Sequence, residues 1–310
     1  MDMALLVSQM VNGLQLGVLL FLVAAGLTLV FGILDFVNLA HGAFYMLGAF
    51  VCAVFTRWTG SWPLAVPLAL PVVVLLGMAA ERLVARPLYG KSHLAQVLAT
   101  FGLLLVIEAL AMMVFGAEGM GIALPGWLDG RVELAEGVEL PVFRLLIIAS
   151  GLTVAAGLYV LVHHSRFGML VRAAAANRGM AEALGVDTGR LFSWLFALGT
   201  GLAGLAGMLV APLTEASLSM GVEVIIVALV IIIIGGIGSL KGAFVAAMLV
   251  GMIDTMGRAW LDDALKLTLG AVAAETAAPA ISAMSIYILM AVILAWRPRG
   301  LFPPRLRGEG

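Results

Sequence analysis

Long apolar runs broken by short polar segments dominate this chain. Charges and Gly or Pro breaks bound runs that predict helices near 10–31, 39–56, 63–84, 94–116, 142–163, 191–212, 221–238, 242–257 and 281–296. A hydrocarbon core about 30 Å thick takes roughly 20 residues of helix at ~1.5 Å rise each. The runs at 221–238 and 242–257 are short and joined by GGIGSLKG, so they read either as two crossings or as a re-entrant pair. Strands of a membrane barrel would alternate polar and apolar residues, and these runs do not. The expected fold is all-α, a polytopic transmembrane bundle of about eight or nine spans. One segment departs from it: within 117–141, RVEL-AEG-VELP alternates around a Gly-containing turn, as a β-hairpin does.

Charge gives the spans a direction. Arg82, Arg86, Lys91, Arg166, Arg172, Arg178, Arg190, Lys241, Arg297, Arg299, Arg305 and Arg307 fall in one alternating set of connections, twelve of the 17 Lys and Arg. Arg57, Arg131, Arg144, Arg258 and Lys266 fall in the other, with most of the acids. Positive residues stay in the cytoplasm, so the first set is expected inside, the N-terminus outside and the C-terminus inside. The 117–141 loop, with Glu118, Asp129, Glu133, Glu136 and Glu139 against Arg131, is then a small acidic external loop. Hydrophobic residues make up 63% and charged residues 11% of the chain, far from a soluble domain. A net charge of −1 gives no reason to expect nucleic acid. No Lys or Arg precedes Arg57, so the basic start of a secretory signal is missing and the first run is expected to remain. The single cysteine, Cys52, permits no intrachain disulfide.

Few chemistry-bearing residues interrupt the apolar runs. Glu108 is the deepest and is the candidate for a polar pathway, whereas Glu223 and Asp254 fall near run ends, where they are expected to reach water. GGIGSLKG is not a phosphate-binding loop, because Leu240 and Gly242 flank Lys241 where Gly and Ser/Thr are required. It reads as a helix break at Gly235, Gly236 and Gly238, with Lys241 at the closing helix dipole. His41, His93, His163 and His164 have no metal-ligand spacing, and no nucleophile motif occurs, so no catalytic, metal or cofactor role is expected. Asn38 is expected to cap the second span, with His41 and Gly42 following and Gly42 allowing close packing.

The longest polar, mostly basic interruption is 164–190. Asn177 is placed to cap a short helix with Met180, Ala181 and Leu184 on its apolar side, Gly185 to stop it and Asp187 to cap the next span.

Four stretches together resemble the permeases of branched-chain amino acid ABC transporters, specifically the LivH-like subunit. They are GLTLVFGILDFVNLAHGAFYMLGAF from Gly26 to Phe50, RAAAANRGMAEALGVDTGRL from Arg172 to Leu191, GGIGSLKGA from Gly235 and RPRGLF from Arg297 to Phe302. The resemblance runs over nearly the whole chain. It implies a single permease domain, 1–310, in the bacterial inner membrane, working by alternating access. Its implied partners are a second, LivM-like permease chain, two ATP-binding subunits that carry the ATP and Mg chemistry, and an extracytoplasmic amino-acid-binding protein. It also implies that 164–190 docks on an ATPase subunit, through Arg172, Asn177, Met180, Glu182, Leu184 and Gly185. Import of urea or short amides is the alternative within the superfamily. An ion-coupled secondary transporter would need a midplane ionisable cluster, to which only Glu108 comes close.

Overall fold

Gly and Ala at helix-spaced positions decide how this chain packs. The computed structural model describes residues 3–135 and 138–303; Glu136, Arg305 and Arg307 lie outside the described residues. The helices are α1 (Met3–Leu34), α2 (His41–Thr59), α3 (Trp62–Ala80), α4 (His93–Phe115), α5 (Val142–His164), α6 (Arg166–Ala176), α7 (Arg178–Ala183), α8 (Thr188–Thr214), α9 (Met220–Gly235), α10 (Leu240–Leu269) and α11 (Ala271–Trp296). A π-turn, Glu81–Ala85, and a 3₁₀ turn, Arg86–Leu88, extend α3. Strands β1 (Arg131–Ala135) and β2 (Val138–Pro141) form the antiparallel hairpin expected from the alternation, with Arg131 opposite Pro141.

Each of the nine apolar runs is a helix, and the protein is a polytopic helical membrane protein. Among the described residues six helices are long and apolar enough to cross a membrane: α1, α3 with its extension, α4, α5, α8 and α10. Of the other three, α9 has 16 residues and reaches about 24 Å, α2 carries Thr56, Arg57 and Thr59 in its last turn, and α11, 26 residues long, has the apolar stretch Ala280–Trp296 among the described residues.

The chain divides into two compact units. The larger comprises Leu22–Pro125 and Thr153–Ala228. Here α2 packs on α8 and α9 through glycines. A Cβ at Gly42 would enter the backbone of Gly221, one at Gly48 that of Gly204, and one at Gly207 that of Tyr45. Backbones that meet this closely compensate for the missing hydrophobic drive in lipid, where dispersion contacts must hold helices together. Larger side chains fill the space between these contacts: Phe44 meets Phe196 edge-on at 6.5 Å between ring centroids, and Phe50 stacks on Phe115 at 4.9 Å. The Trp62 indole N–H donates to the Met208 carbonyl at 3.2 Å, anchoring the start of α3 to α8.

The smaller unit comprises Met1–Phe21, Gly126–Leu152 and Leu229–Gly310. Gly13 and Gly17 bring α1 against Met248, Gly251 and Met252 of α10, and Phe21 meets Phe244 edge-on at 5.1 Å. The glycine break after α9 is observed, with Gly236 at φ +99° and Gly238 at +83°. Its purpose was not legible: the RPRGLF segment returns to it, with Leu301 N–H donating to the Ile234 carbonyl at 2.9 Å and Phe302 N–H to that of Gly235 at 3.0 Å. Lys241 lies in the first turn of α10, opposite to the closing-dipole expectation, and its ammonium rests 5.1 Å from the centre of the Phe302 ring.

Candidate functional site

The 164–190 segment folds as a chain of caps. Ser165 accepts the Gly168 N–H at 3.0 Å and opens α6, whose Gly168, Val171 and Ala174 face inward. The Arg172 guanidinium turns back to the Val162 carbonyl. Asn177 ends α6 and starts α7: its N–H donates to the Ala173 carbonyl at 3.0 Å, and its Oδ1 accepts the Met180 N–H at 2.9 Å. The far end of α7 is a Schellman closure, with Gly185 at φ +87°, its N–H on the Glu182 carbonyl and the Val186 N–H on that of Ala181. Asp187 then accepts the Arg190 N–H at 2.9 Å and opens α8.

Of the apolar side expected for α7, only Ala181 is covered. Met180 is 59% and Leu184 78% exposed, so two large apolar side chains project from a rigidly capped turn. Glu182 braces that turn by accepting from the Thr188 hydroxyl and from Arg178 Nε at 2.9 Å. These two hydrogen bonds, Thr188 first, lower its carboxyl below the usual carboxylate range.

From α7 the contacts continue inward. The Arg178 guanidinium lies 5.1 Å from the centre of the Phe192 ring, and Phe192 meets Tyr89 edge-on at 5.9 Å. Tyr89 donates to Glu81 at 3.2 Å; burial, reinforced by that carboxylate, pushes its phenol far above the ordinary range. Glu81 is fully buried. Arg86 holds it by two 3.2 Å hydrogen bonds, and the Ser193 hydroxyl donates to it at 2.9 Å while accepting from Arg86. Sequence reasoning missed Glu81, although a carboxylate inside the 63–84 run was the available signal.

The α1–α2 linker differs from expectation. Ala40, in helical conformation, stands at the N-cap of α2 and offers no side-chain cap. Asn38 is instead buried, and its side-chain amide meets no partner among the described residues. Side chains of α4 satisfy this linker: Gln96 accepts the Val37 N–H at 3.1 Å and Thr100 the Leu39 N–H at 3.0 Å. His41 is buried with Nε2 3.1 Å from the Val23 carbonyl.

Glu108 is half-buried on α4 and lines a shallow crevice, too tight for a water molecule, with Met46, Leu218 and Gly221. No hydrogen bond reaches its carboxylate among the described residues. Glu223 is exposed in the first turn of α9, where the helix dipole favours an acid. Asp254 does not reach water as expected. It is buried and gripped by Arg258 Nε at 3.1 Å, with the Ser282 hydroxyl on its main-chain carbonyl.

The family described as branched-chain amino acid transport system, permease component, matches residues 9–295. The chain is 29% identical over 264 residues to the high-affinity branched-chain amino acid transport system permease protein BraD of Pseudomonas aeruginosa, covering 80% of this chain and 85% of that one. To LivH of Escherichia coli strain K12, a permease of the same description, it is 27% identical over 274 residues, covering 83% and 88%. Among solved structures, PsaBC from Streptococcus pneumoniae in complex with Fab aligns over 90% of this chain and 89% of that one, at 12% identity and a TM-score of 0.45.

Proposed function

The chain belongs to the family of permease components of branched-chain amino acid transport systems, and on that premise we propose that it moves branched-chain amino acids inward by alternating access, driven by ATP hydrolysed on partner subunits. It is a transport subunit, not an enzyme. The substrate arrives from an extracytoplasmic binding protein and passes at the interface with a second, LivM-like permease chain. Two ATP-binding subunits supply the power stroke and hold the ATP and Mg; this chain binds no cofactor.

In this reading 1–310 is one permease domain of the bacterial inner membrane. The six long apolar helices cross, and α2, α9 and α11 cross with them where the bilayer thins locally to match, which puts the N-terminus outside, the 117–141 loop outside and the 164–190 segment and C-terminus in the cytoplasm. The uneven distribution of Lys and Arg supports that orientation. Glu108 faces the pathway.

One observation carries the coupling role: α7 is capped at both ends and projects Met180 and Leu184 outward. A short rigid helix with an exposed apolar face fits a groove on a partner and transmits its movement to α8. The test is leucine uptake into proteoliposomes holding the assembled transporter, binding protein and ATP. Leu184→Asp is expected to abolish uptake while the chain stays inserted. Normal ATP-dependent uptake by that variant overturns the coupling role, and uptake driven by an ion gradient without ATPase subunits overturns the reading as a whole.

A further inference from the structure

A basic pocket and an apolar groove adjoin along α3 and α8. The pocket, about 460 Å³, is lined by Arg82, Arg86, Asp187, Arg190 and Trp194, a size within the range of ligand sites. Arg190 is tied to Asp187 at 3.1 Å and Arg86 to Glu81 at 3.2 Å, but Arg82 has no hydrogen-bond or ion-pair partner among the described residues. Three guanidiniums against two carboxylates leave a net positive site with one free fork, the geometry that recognises phosphate.

The groove, about 340 Å³ and almost wholly apolar, begins at the same Trp194 and runs past Leu70 and Val74 of α3 and Leu198, Gly201 and Leu205 of α8. Trp194 is 61% exposed between them. Tryptophan favours the boundary between headgroup and hydrocarbon. From Trp194 to Leu205 is about 16 Å of helix, close to half of a hydrocarbon core about 30 Å thick. The groove therefore has the length of one leaflet, and Gly201 deepens its floor.

We propose that this composite site holds one anionic phospholipid, its phosphate headgroup on Arg82, Arg86 and Arg190 and an acyl chain along the α3–α8 groove. The charge selects an anion and the adjoining groove selects a lipid over a free phosphate. Basic pockets at the cytoplasmic ends of membrane helices bind such headgroups by this chemistry. The site goes beyond the transport reading and does not depend on which amino acid is carried.

The test uses the assembled transporter in nanodiscs of mixed phosphatidylglycerol and phosphatidylcholine, released into mild detergent, with retained lipid counted by native mass spectrometry. The wild type is expected to retain phosphatidylglycerol in preference to phosphatidylcholine. Arg82→Gln with Arg190→Gln is expected to lower that retention about tenfold, and Arg82→Lys with Arg190→Lys to keep most of it. Gly201→Leu, which fills the groove, is expected to lower retention of both lipids. Equal retention of the two lipids by the wild type overturns the proposal, whether or not the variants assemble. So does displacement of the bound lipid by inorganic phosphate alone, which would mark a free-anion pocket. A photo-crosslinker at Leu198 that captures a partner chain instead of lipid overturns it too, by assigning the groove to protein. The readout involves no transport, so its failure is separable from failure of the transport reading.

Discussion

Ser193, in the second turn of α8, donates its hydroxyl hydrogen to Glu81 at 2.9 Å across 112 positions of sequence. Glu81 is fully buried, and only Arg86, Tyr89 and Ser193 supply hydrogen bonds to its side chain among the described residues. A carboxylate removed from water is tolerated only while its lone pairs are occupied. Ser193→Ala is therefore expected to lower stability by about 1–3 kcal/mol. The midpoint of a thermal or SDS unfolding titration of the purified transporter reads this directly; an unchanged midpoint would mean that Arg86 and Tyr89 suffice.

Gly185 closes α7 at φ +87°, and proline is held near −65°. Gly185→Pro is expected to unravel the Schellman closure and abolish ATP-driven uptake, with membrane insertion and assembly retained. Glu182→Arg, which replaces the acceptor shared by Thr188 and Arg178, is expected to act in the same direction. Uptake at the wild-type rate in both variants would show that the geometry of this turn is irrelevant to transport.

The glycine contacts make opposite predictions for two positions on membrane helices. At Gly42 an added methyl meets the main chain of Gly221, so Gly42→Ala is expected to cost about 1–3 kcal/mol. At Gly102 nothing lies within 4 Å of such a methyl, so Gly102→Ala is expected to be neutral or stabilising by up to about 1 kcal/mol through helix propensity. Comparing the two unfolding midpoints separates packing from a general intolerance of the bundle.

The Glu182 carboxyl is depressed below its unfolded value by Thr188 and Arg178. A depressed acid stabilises the fold above the unfolded pKa, about 4.3 for Glu, and that stabilisation is lost as pH falls through the folded value. Amide exchange over 178–190, corrected for intrinsic rates, is expected to be flat near neutrality and to accelerate only in acid. In Glu182→Gln the acid-dependent step should vanish; its persistence would assign the transition to another group.

Much of this molecule was legible because its signals are local. Asn177, Gly185 and Asp187 each satisfy backbone groups within five residues of themselves, so residue type and spacing suffice to read them. The hairpin strands alternate within an eleven-residue stretch, 131–141. Asn38 misled because its residue type fits a cap while the chain already turns helically at Ala40, leaving the amide buried. Gln96 and Thr100 were missed because their partners, Val37 and Leu39, are distant, and the full burial of Glu81 became legible only with Ser193 of α8 packed against it, although Arg86 and Tyr89 lie close by in sequence. The groove beside Trp194 arises only when α3 meets α8, and no pattern along either helix encodes it.

The π-turn at Glu81–Ala85 adds a consequence about chain length. The Arg86 N–H returns to the Glu81 carbonyl five residues back, so position 86 lies directly over position 81. In a regular α-helix five residues advance about 500°, which would swing Arg86 some 140° away from Glu81. The wide turn thus takes up one residue more than an even winding needs while keeping Arg86 beside Glu81. Deleting any one residue from 82–85 would place the arginine four positions after Glu81 in a regular helix, a spacing at which the two side chains again meet. A shortened helix is therefore expected to keep its buried carboxylate neutralised, and the insertion is one that the ion pair tolerates in either length.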